Sequence, residues 1–396
     1  MENKNIAMGN VLPTIEMLLS ENIKLSDEEK IRKILADISV PIKNLKVTVG
    51  PTVTLYEIFF NETVRFSRKD FEERIREEIN GNVRIVSSLH GKYVIEVANN
   101  ICRSVPVIDI LGSKTFQETS HKLPIAFGIT SGNEVYVADL TSMPHLIIAG
   151  GTKKECTNGF NLALTSLLLS KRPNEIKYII IDSDKSRLNP FSKLPVHFTA
   201  HIEGMKGAVV SDHSEIRRII RCSIFNELES RLKIFLEAGA RNISEYNERV
   251  KCEYKEGESQ AEKMPYIIVA INNYDRIIGY LGYIDDAYIS FIARMSRTVG
   301  IHFILSTSIV DHIITQEVKA TFPARLAFRT ENWNDKQTIL DTWGTQCFSG
   351  EGELLINEHA PLVRVQLPYI ETSMIDSLCT CLSQSNSDLE AYILPE

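Results

Sequence analysis

Residues 150–157 read Gly150-Gly151-Thr152-Lys153-Lys154-Glu155-Cys156-Thr157 and join the apolar run HLIIAG (145–150) to the helical stretch FNLALTSLLLS (160–170). Strand, loop and helix in that order are the setting of a phosphate-binding loop, G-x-x-x-x-G-K-[ST]. Its glycines let amide N–H groups face the phosphates, its lysine reaches the β/γ-phosphates and its hydroxyl holds Mg²⁺. Gly150 and Thr157 keep the first glycine and the final hydroxyl. Glu155 stands in the second glycine slot, where it adds a β-carbon at a position expected to need positive φ and a negative charge facing the phosphates. Cys156, short and neutral, stands in the lysine slot. Exchanging attraction for repulsion at about 4 Å is worth several kcal/mol at an effective dielectric of ~20. Lys153 and Lys154 bring positive charge from a different part of the loop.

The second half of such a site is an acidic pair after a buried strand, one acid for the metal and one for the attacking water. Here the run YIIVAI (266–271) ends on Asn272 and Asn273, which keep the shape of that pair and lose its charge. An amide is no general base and a weaker partner for a hard dication. The nearest acid, Asp275, is displaced by two positions. The residues therefore predict no intact catalytic set, no metal site and lost hydrolysis. ATP and Mg²⁺ enter only if the deviant site works. Cys156 has two readings: a thiol activated at a helix N-terminus, or a replacement tolerated once the lysine was dispensable.

The elements that position these residues follow from periodicity. HLIIAG, KYIIID (177–182), YIIVAI, HFILS (302–306) and RLAF (325–328) are short continuous apolar runs, as expected of strands buried on both faces. Amphipathic stretches at 157–170, 213–237, 286–298 and 335–341 separate them. That alternation predicts an α/β fold with a mostly parallel sheet flanked by helices. Ahead of it, residues 1–45 read as helical around Leu12, Ile15, Leu18 and Leu19. Segment 47–58 reads as strand, turn and strand, 68–79 as a helix, and 83–97 as a hairpin turning near His90-Gly91-Lys92. Together they make a smaller α+β unit. Segment 249–264 reads as an exposed polar loop, and the end from about 371 as one helix and a tail.

The 396 residues predict two or three domains, and 43% hydrophobic content excludes a disordered chain. The net charge of −7 excludes a protein that coats nucleic acid through global charge, but not a local basic patch. No apolar run approaches the ~20 residues of a spanning helix, and the polar start lacks a signal-peptide core. The seven cysteines are scattered without C-x-x-C spacing, which fits reduced thiols in a cytoplasmic protein rather than a zinc site.

Several segments together resemble the motor region of the FtsK/SpoIIIE DNA translocases. Gly50-Pro51-Thr52-Val53-Thr54-Leu55-Tyr56-Glu57-Ile58 is similar to that family's GP-x-VT-x-YEI. KLPIAFGITSGNEVYVADLTSMPHLIIAG (122–150) resembles its approach to the phosphate loop, and IID (180–182) its next core strand. RLKIFLEAGARNISEYN (231–247) resembles its R-N-x-x-x-Y-N signature, and GIHFILSTS (300–308) and TILD (338–341) its late motor segments. The likeness covers roughly residues 35–368. It implies a RecA-like P-loop NTPase fold, with residues 1–120 as an α subdomain, 121–370 as the motor subdomain and 371–396 as a C-terminal helix and tail. It also implies ATP as cofactor, double-stranded DNA as partner, a hexameric ring, and work in chromosome segregation or cell division. Arg297 falls at the family's arginine finger, which reaches a neighbour's γ-phosphate. The family's Q-R-P is here Ser308, Ile309 and Val310. The membrane region and winged helix of family members do not fit within this length.

Degenerate site residues beside kept fold motifs point to a pseudo-ATPase that acts as a DNA-binding or ring-assembly subunit. It would form a homo-oligomeric ring, or a mixed ring with an intact FtsK-like motor. One alternative is an active translocase in which Lys153 or Lys154 and Asp275 substitute. Another is a protein-interaction module similar to the degenerate ATPase domains of type VII secretion. Other residues read plainly. Arg217, Arg218 and Arg221 are the solvated face of an amphipathic helix. His145 is a hydrogen-bonded structural histidine, and Trp333 and Trp343 are packing aromatics. Arg297 is read either as a trans-acting finger or as an interface arginine.

Overall fold

The computed structural model describes residues 26–60, 67–79, 83–87, 92–183, 189–205, 207–252, 263–330, 332–341, 351–357, 362–385 and 390–395. The helix read around Leu12, Ile15, Leu18 and Leu19, the turn at His90-Gly91, residues 253–262 and Trp343 lie outside them, as does the side chain of Trp333. The chain divides into two units, residues 1–47 with 56–95 and residues 48–55 with 96–396.

In the first unit, helix α1 (Asp27–Asp37) opens on a capping box made by Ser26 and Glu29 and buries Ile31, Ile34 and Leu35. The helical reading of residues 1–45 fails at its end, because strand β1 already runs over Ile42–Val49. Pro41 accounts for this, since the residue before a proline is pushed out of the helical region. Strand β2 (Val53–Phe60), helix α2 (Arg68–Glu78), strand β3 (Val83–Ser87) and strand β4 (Lys92–Ala98) follow. They form a four-stranded sheet of order β1-β2-β4-β3, with Phe71 and Ile75 of α2 fully buried.

The second unit is built on a ten-stranded sheet. Short helices α3 (Val107–Leu111) and α4 (Lys114–Gln117) lead into β5 (Pro124–Thr130), β6 (Val135–Asp139) and β7 (His145–Ala149). Helix α5 (Lys153–Ser170) returns to β8 (Ile176–Asp182). Short strands β9 (Ala200–His201) and β10 (Val209–Val210) precede helices α6 (His213–Arg218), α7 (Ile224–Glu237) and α8 (Ile243–Cys252). Strand β11 (Tyr266–Asn272), helices α9 (Tyr274–Leu281) and α10 (Tyr283–Ser296), and β12 (Ile301–Thr307) come next. Then follow α11 (Gln316–Thr321), β13 (Ala324–Phe328), α12 (Trp333–Leu340), β14 (Glu353–Asn357) and β15 (Val363–Gln366). Helix α13 (Thr372–Ser385) and strand β16 (Tyr392–Ile393) close the chain.

The strand order is β10-β8-β11-β12-β7-β13-β14-β15-β5-β6. Strands β10 through β13 pair in parallel, and β13-β14-β15-β5-β6 pair antiparallel. The mostly parallel expectation describes the first part, and the antiparallel part is an addition to it. Continuous apolar strands follow from burial on both faces. Leu146 and Ile148 of β7 join Ile180, Ile268, Ala270 and Ile304 against Phe160, Leu164 and Leu167 of α5. Ile147 and Ala149 point to the other core, with Ile179, Ile181, Val269 and Ile271 against Ile277 and Ile289. Each fully buried isoleucine or leucine of this kind contributes about 1.5–3 kcal/mol.

The helix read over 213–237 is α6 and α7 joined by a π-helical turn at Ile219–Ser223. Residues 249–252 of the segment read as loop belong to α8. The 231–247 signature serves as a staple. Arg231, 1% exposed, donates from Nη1 to the carbonyls of Pro265 (2.8 Å) and Val299 (2.9 Å), and its Nε bonds Glu227 at 2.6 Å. Asn247 donates to Met264 O (2.9 Å) and accepts from Met264 N (2.8 Å). Two separate helices thereby fix the entry to β11. Among the described residues no helix is long and apolar enough to cross a membrane.

Candidate functional site: a self-capped loop and an amide collar

In open α/β sheets ligands sit beyond the carboxyl ends of the strands, and the loop after β7 lies there. Gly150 and Gly151 have φ of 81° and 65°, the left-handed region. A β-carbon on Gly150 would fall 2.5 Å from Thr330 Cγ2, and one on Gly151 would fall 2.7 Å from both Glu155 Oε2 and Phe328 Cβ. The chain turns on these two glycines and enters α5 at Lys153, with Thr152 as N-cap.

Glu155 is therefore helical. The positive φ expected in its slot does not arise, because the helix starts ahead of that slot. Its carboxylate folds back over the helix start. Oε2 accepts from Thr152 N (2.9 Å) and Thr152 Oγ1 (3.0 Å), and Oε1 accepts from Gly352 N (3.1 Å). Thr152 Oγ1 accepts from Glu155 N at 3.2 Å, which completes a capping box. The amides of Gly150 and Cys156 bond Thr307 O and Thr152 O. So the amides of Gly150, Thr152, Glu155 and Cys156 are all committed within the protein.

Cys156 is 2% exposed. Its thiol donates toward Gly150 O (2.8 Å) and Thr307 O (3.3 Å). Burial, with Glu155 and Asp275 adding, pushes the thiol pKa far above its ordinary value. The group stays protonated, and the reading of an activated thiol does not fit it.

Thr157 lines a cavity of about 150 Å³ with Lys153, Lys154, Asp182, Asn272 and Asn273. This brings together the ends of α5, β8 and β11. Asp182, 7% exposed, is collared by carboxamides. Its Oδ2 accepts from Asn272 Nδ2 (3.0 Å) and Asn189 Nδ2 (3.0 Å), and its Oδ1 accepts from Asn273 Nδ2 (3.1 Å). Asn273 takes φ 52° to start α9, a conformation asparagine tolerates. Asn272 and Asn273 thus serve as donors to an acid. Acids in their places would oppose Asp182. Asp275 does not line this cavity; its Oδ1 lies 3.1 Å from Thr307 Oγ1. Among the described residues no group of three or more His, Cys, Asp or Glu is arranged to hold a metal.

A second cavity of about 760 Å³ borders the same loop, lined in part by Arg103, Lys154, Glu155, Phe328, Gln366 and Tyr369. Lys154 Nζ sits 5.1 Å from the centre of the Tyr369 ring.

Arg297 is exposed and opens the short turn Arg297–Val299 before β12. That is the amino end of the parallel strands, whereas the loop and collar are at the carboxyl ends, so in its own chain Arg297 is remote from both. His145 Nδ1 accepts from Phe303 N at 3.1 Å, and burial lowers its pKa to about 3. It is the neutral structural histidine expected. Arg217, Arg218 and Arg221 lie on the exposed face opposite buried Ile216, Ile219, Ile220 and Ile224, as expected, and Arg217 and Arg221 also approach the fully buried Asp285.

Asp182 as hub, Asn189 and Gly352 were not singled out from sequence. The capping box had a legible signal, Thr152-x-x-Glu155. Gly352 had none, because it meets the loop only through the fold.

The FtsK/SpoIIIE family model matches residues 106–320, and the FtsK alpha domain model matches residues 12–99. The DNA translocase FtsK of Chlorobaculum tepidum is 34% identical over 368 residues, covering 90% of this chain and 44% of that protein. The DNA translocase SpoIIIE of Bacillus subtilis is 29% identical over 384 residues, covering 93% and 46%. The chain thus spans a little under half the length of these relatives. Among solved structures, the pCW3 conjugation coupling protein TcpA aligns over 90% of this chain and 99% of its own, with TM-score 0.58 and 17% identity. ATPases 2 and 3 of EssC from Geobacillus thermodenitrificans align over 70% and 52%, with TM-score 0.58 and 19% identity. These two likenesses are of fold. The family model covers more than half of the chain, and with the alpha-domain match beside it the chain belongs to the FtsK/SpoIIIE family.

Proposed function

We propose that this FtsK/SpoIIIE-family chain is a pseudo-ATPase that works in a ring as a DNA-binding or assembly subunit, either with copies of itself or with an intact FtsK-like motor. The observation that carries the reading is the Glu155 carboxylate on Thr152 N, Thr152 Oγ1 and Gly352 N. An anion of the chain's own takes donors at the helix start where a phosphate would be held. Two further features support it. The lysine slot is a buried, protonated thiol, and the acidic-pair positions donate to Asp182 instead of receiving a cation. ATP and Mg²⁺ do not fit this donor set. Arg297, remote from its own site, suits a role toward a neighbouring subunit's nucleotide.

Calorimetric titration with ATP and Mg²⁺, together with a hydrolysis assay on long duplex DNA, tests the reading. No heat of binding and no turnover are expected, and DNA-stimulated turnover would overturn it. One observation favours an active deviant site, namely that Lys153 and Lys154 both line the cavity with Thr157. If turnover is found, Lys153→Ala with Lys154→Ala should abolish it.

A further inference from the structure

The loop, the collar and the cavities beside them account for the carboxyl ends of the parallel strands. The amino ends carry a different feature. A cavity of about 190 Å³ opens at the starts of β8 and β11, whose first residues pair as Tyr266 with Ile176. Lys122, Lys171, Lys251 and Lys263 all line it. They come from four separate places: the approach to β5, the C-cap of α5, the last turn of α8 and the approach to β11. Among the described residues none of the four pairs with a carboxylate. Among the described lining residues two are acids, Glu175 and Glu248, so four positive and two negative charges there leave an excess of two positives. The whole chain carries −7.

The pocket is held in shape. Lys122 Nζ donates to Ser244 Oγ at 2.7 Å, and Ser244 Oγ lies 3.4 Å from Tyr266 OH. The two-way bond between Asn247 and Met264 fixes α8 against the start of β11. Asn242 caps Glu245 N at 3.0 Å, and Tyr246 stacks on Phe235 at 5.4 Å between ring centres. The 241–247 signature, unused by the loop and the collar, thus builds one wall of this pocket.

Like charges around one small cavity repel, and an anion with several acceptor oxygens among them relieves that repulsion. Lysine ammonium groups suit phosphate as point charges. We propose that this lysine pocket is a backbone-phosphate contact for duplex DNA, at the end of the sheet opposite the phosphate loop. A locally positive pocket on an acidic chain gives a defined phosphate contact without general adhesion to nucleic acid. The assignment rests on duplex DNA being a partner of the chain, and not on the loss of hydrolysis.

The test is fluorescence anisotropy of the full chain with a labelled duplex of mixed sequence across a KCl series. The comparison is between wild type, the triple variant Lys171→Glu, Lys251→Glu, Lys263→Glu, and a control triple Lys33→Glu, Lys114→Glu, Lys233→Glu. Both triples change net charge equally, and all six side chains lie at or near the surface, so folding is retained; thermal melts of each check this. The pocket triple is expected to weaken binding tenfold or more and to flatten the salt slope by about 0.9 for each phosphate it no longer neutralises. The control triple should leave the slope unchanged. Equal effects of the two triples would assign the attraction to overall charge and overturn the site while leaving DNA as partner. No binding by wild type would remove both. Inorganic phosphate should compete with the duplex on wild type more than chloride does at equal ionic strength; equal competition on the pocket triple would place the phosphate contact elsewhere and also overturn the proposal.

Discussion

Replacing Glu155 by alanine isolates what the internal carboxylate does. The change deletes three hydrogen bonds at once, those from Thr152 N, Thr152 Oγ1 and Gly352 N. A missing N-cap partner costs about 0.5–2 kcal/mol. The orphaned Gly352 amide adds about 1 kcal/mol, discounted because Glu155 is only half-buried. A net loss of about 2 kcal/mol lowers the melting temperature by about 3 °C for a unit of this size. The same variant frees the donors that an outside anion could use. Inorganic phosphate at ten times its Kd would then restore about 1.4 kcal/mol, which is most of the loss. Differential scanning fluorimetry of wild type and Glu155→Ala, in chloride and in phosphate at matched ionic strength, reads both effects. Wild type should gain nothing specific from phosphate. An unchanged melting temperature in the variant, or the same phosphate gain in both proteins, would refute the idea that Glu155 substitutes for a bound anion.

Four further outcomes are expected. His145 and His302 are buried neutral, with pKa values lowered to about 3 and about 4, chiefly by desolvation. Their contribution is complete above the unfolded value near 6.5 and is lost as pH falls toward 4, about 2 kcal/mol each by pH 5; urea melts from pH 7.5 to 5 that show flat stability would contradict it. Asn272→Asp places a second carboxylate against Asp182 and should cost roughly 3 kcal/mol at pH 8, recovered in part by Mg²⁺; melting with and without chelator checks this. Arg231→Met leaves Glu227 buried without its ion pair and two carbonyls without donors, a loss of about 3–5 kcal/mol by chemical denaturation. Under native conditions at pH 8, iodoacetamide should label the exposed Cys102, Cys222 and Cys381 and spare Cys156, and mass spectrometry would show any labelling of Cys156.

The parallel part of the sheet is legible because its strands are buried on both faces. The runs at β7, β8, β11, β12 and β13 are unbroken blocks of aliphatic residues, and the observed strands sit within a residue or two of them. The antiparallel part is not legible by the same signal. Strand β6 mixes half-buried and buried positions, and β14 and β15 are five and four residues long. Two of these pairings are local, β5 with β6 and β14 with β15, and only the β15–β5 join brings together segments far apart in sequence. In the site, the slot template identified the positions that lack standard chemistry, Glu155, Cys156, Asn272 and Asn273. It also imposed a long loop, although Thr152 and Glu155 spell a helix start that shortens the loop to Gly150 and Gly151. The collar was out of reach, because nothing local to Asp182 says that three carboxamides from two other segments will converge on it.

The collar around Asp182 bears on how easily the site could change over generations. Asn189, Asn272 and Asn273 each supply one N–H to a largely buried carboxylate at the cavity wall. Placing an acid at 272 or 273 alone removes a donor and adds a repulsion, which a bound cation offsets only in part. Placing a lysine at 156 alone forces an ammonium into the buried slot filled by the Cys156 thiol. Each such single replacement lowers stability, so the demands of folding alone hold these positions. The arrangement therefore keeps its centre fixed while the surface around it is free to change.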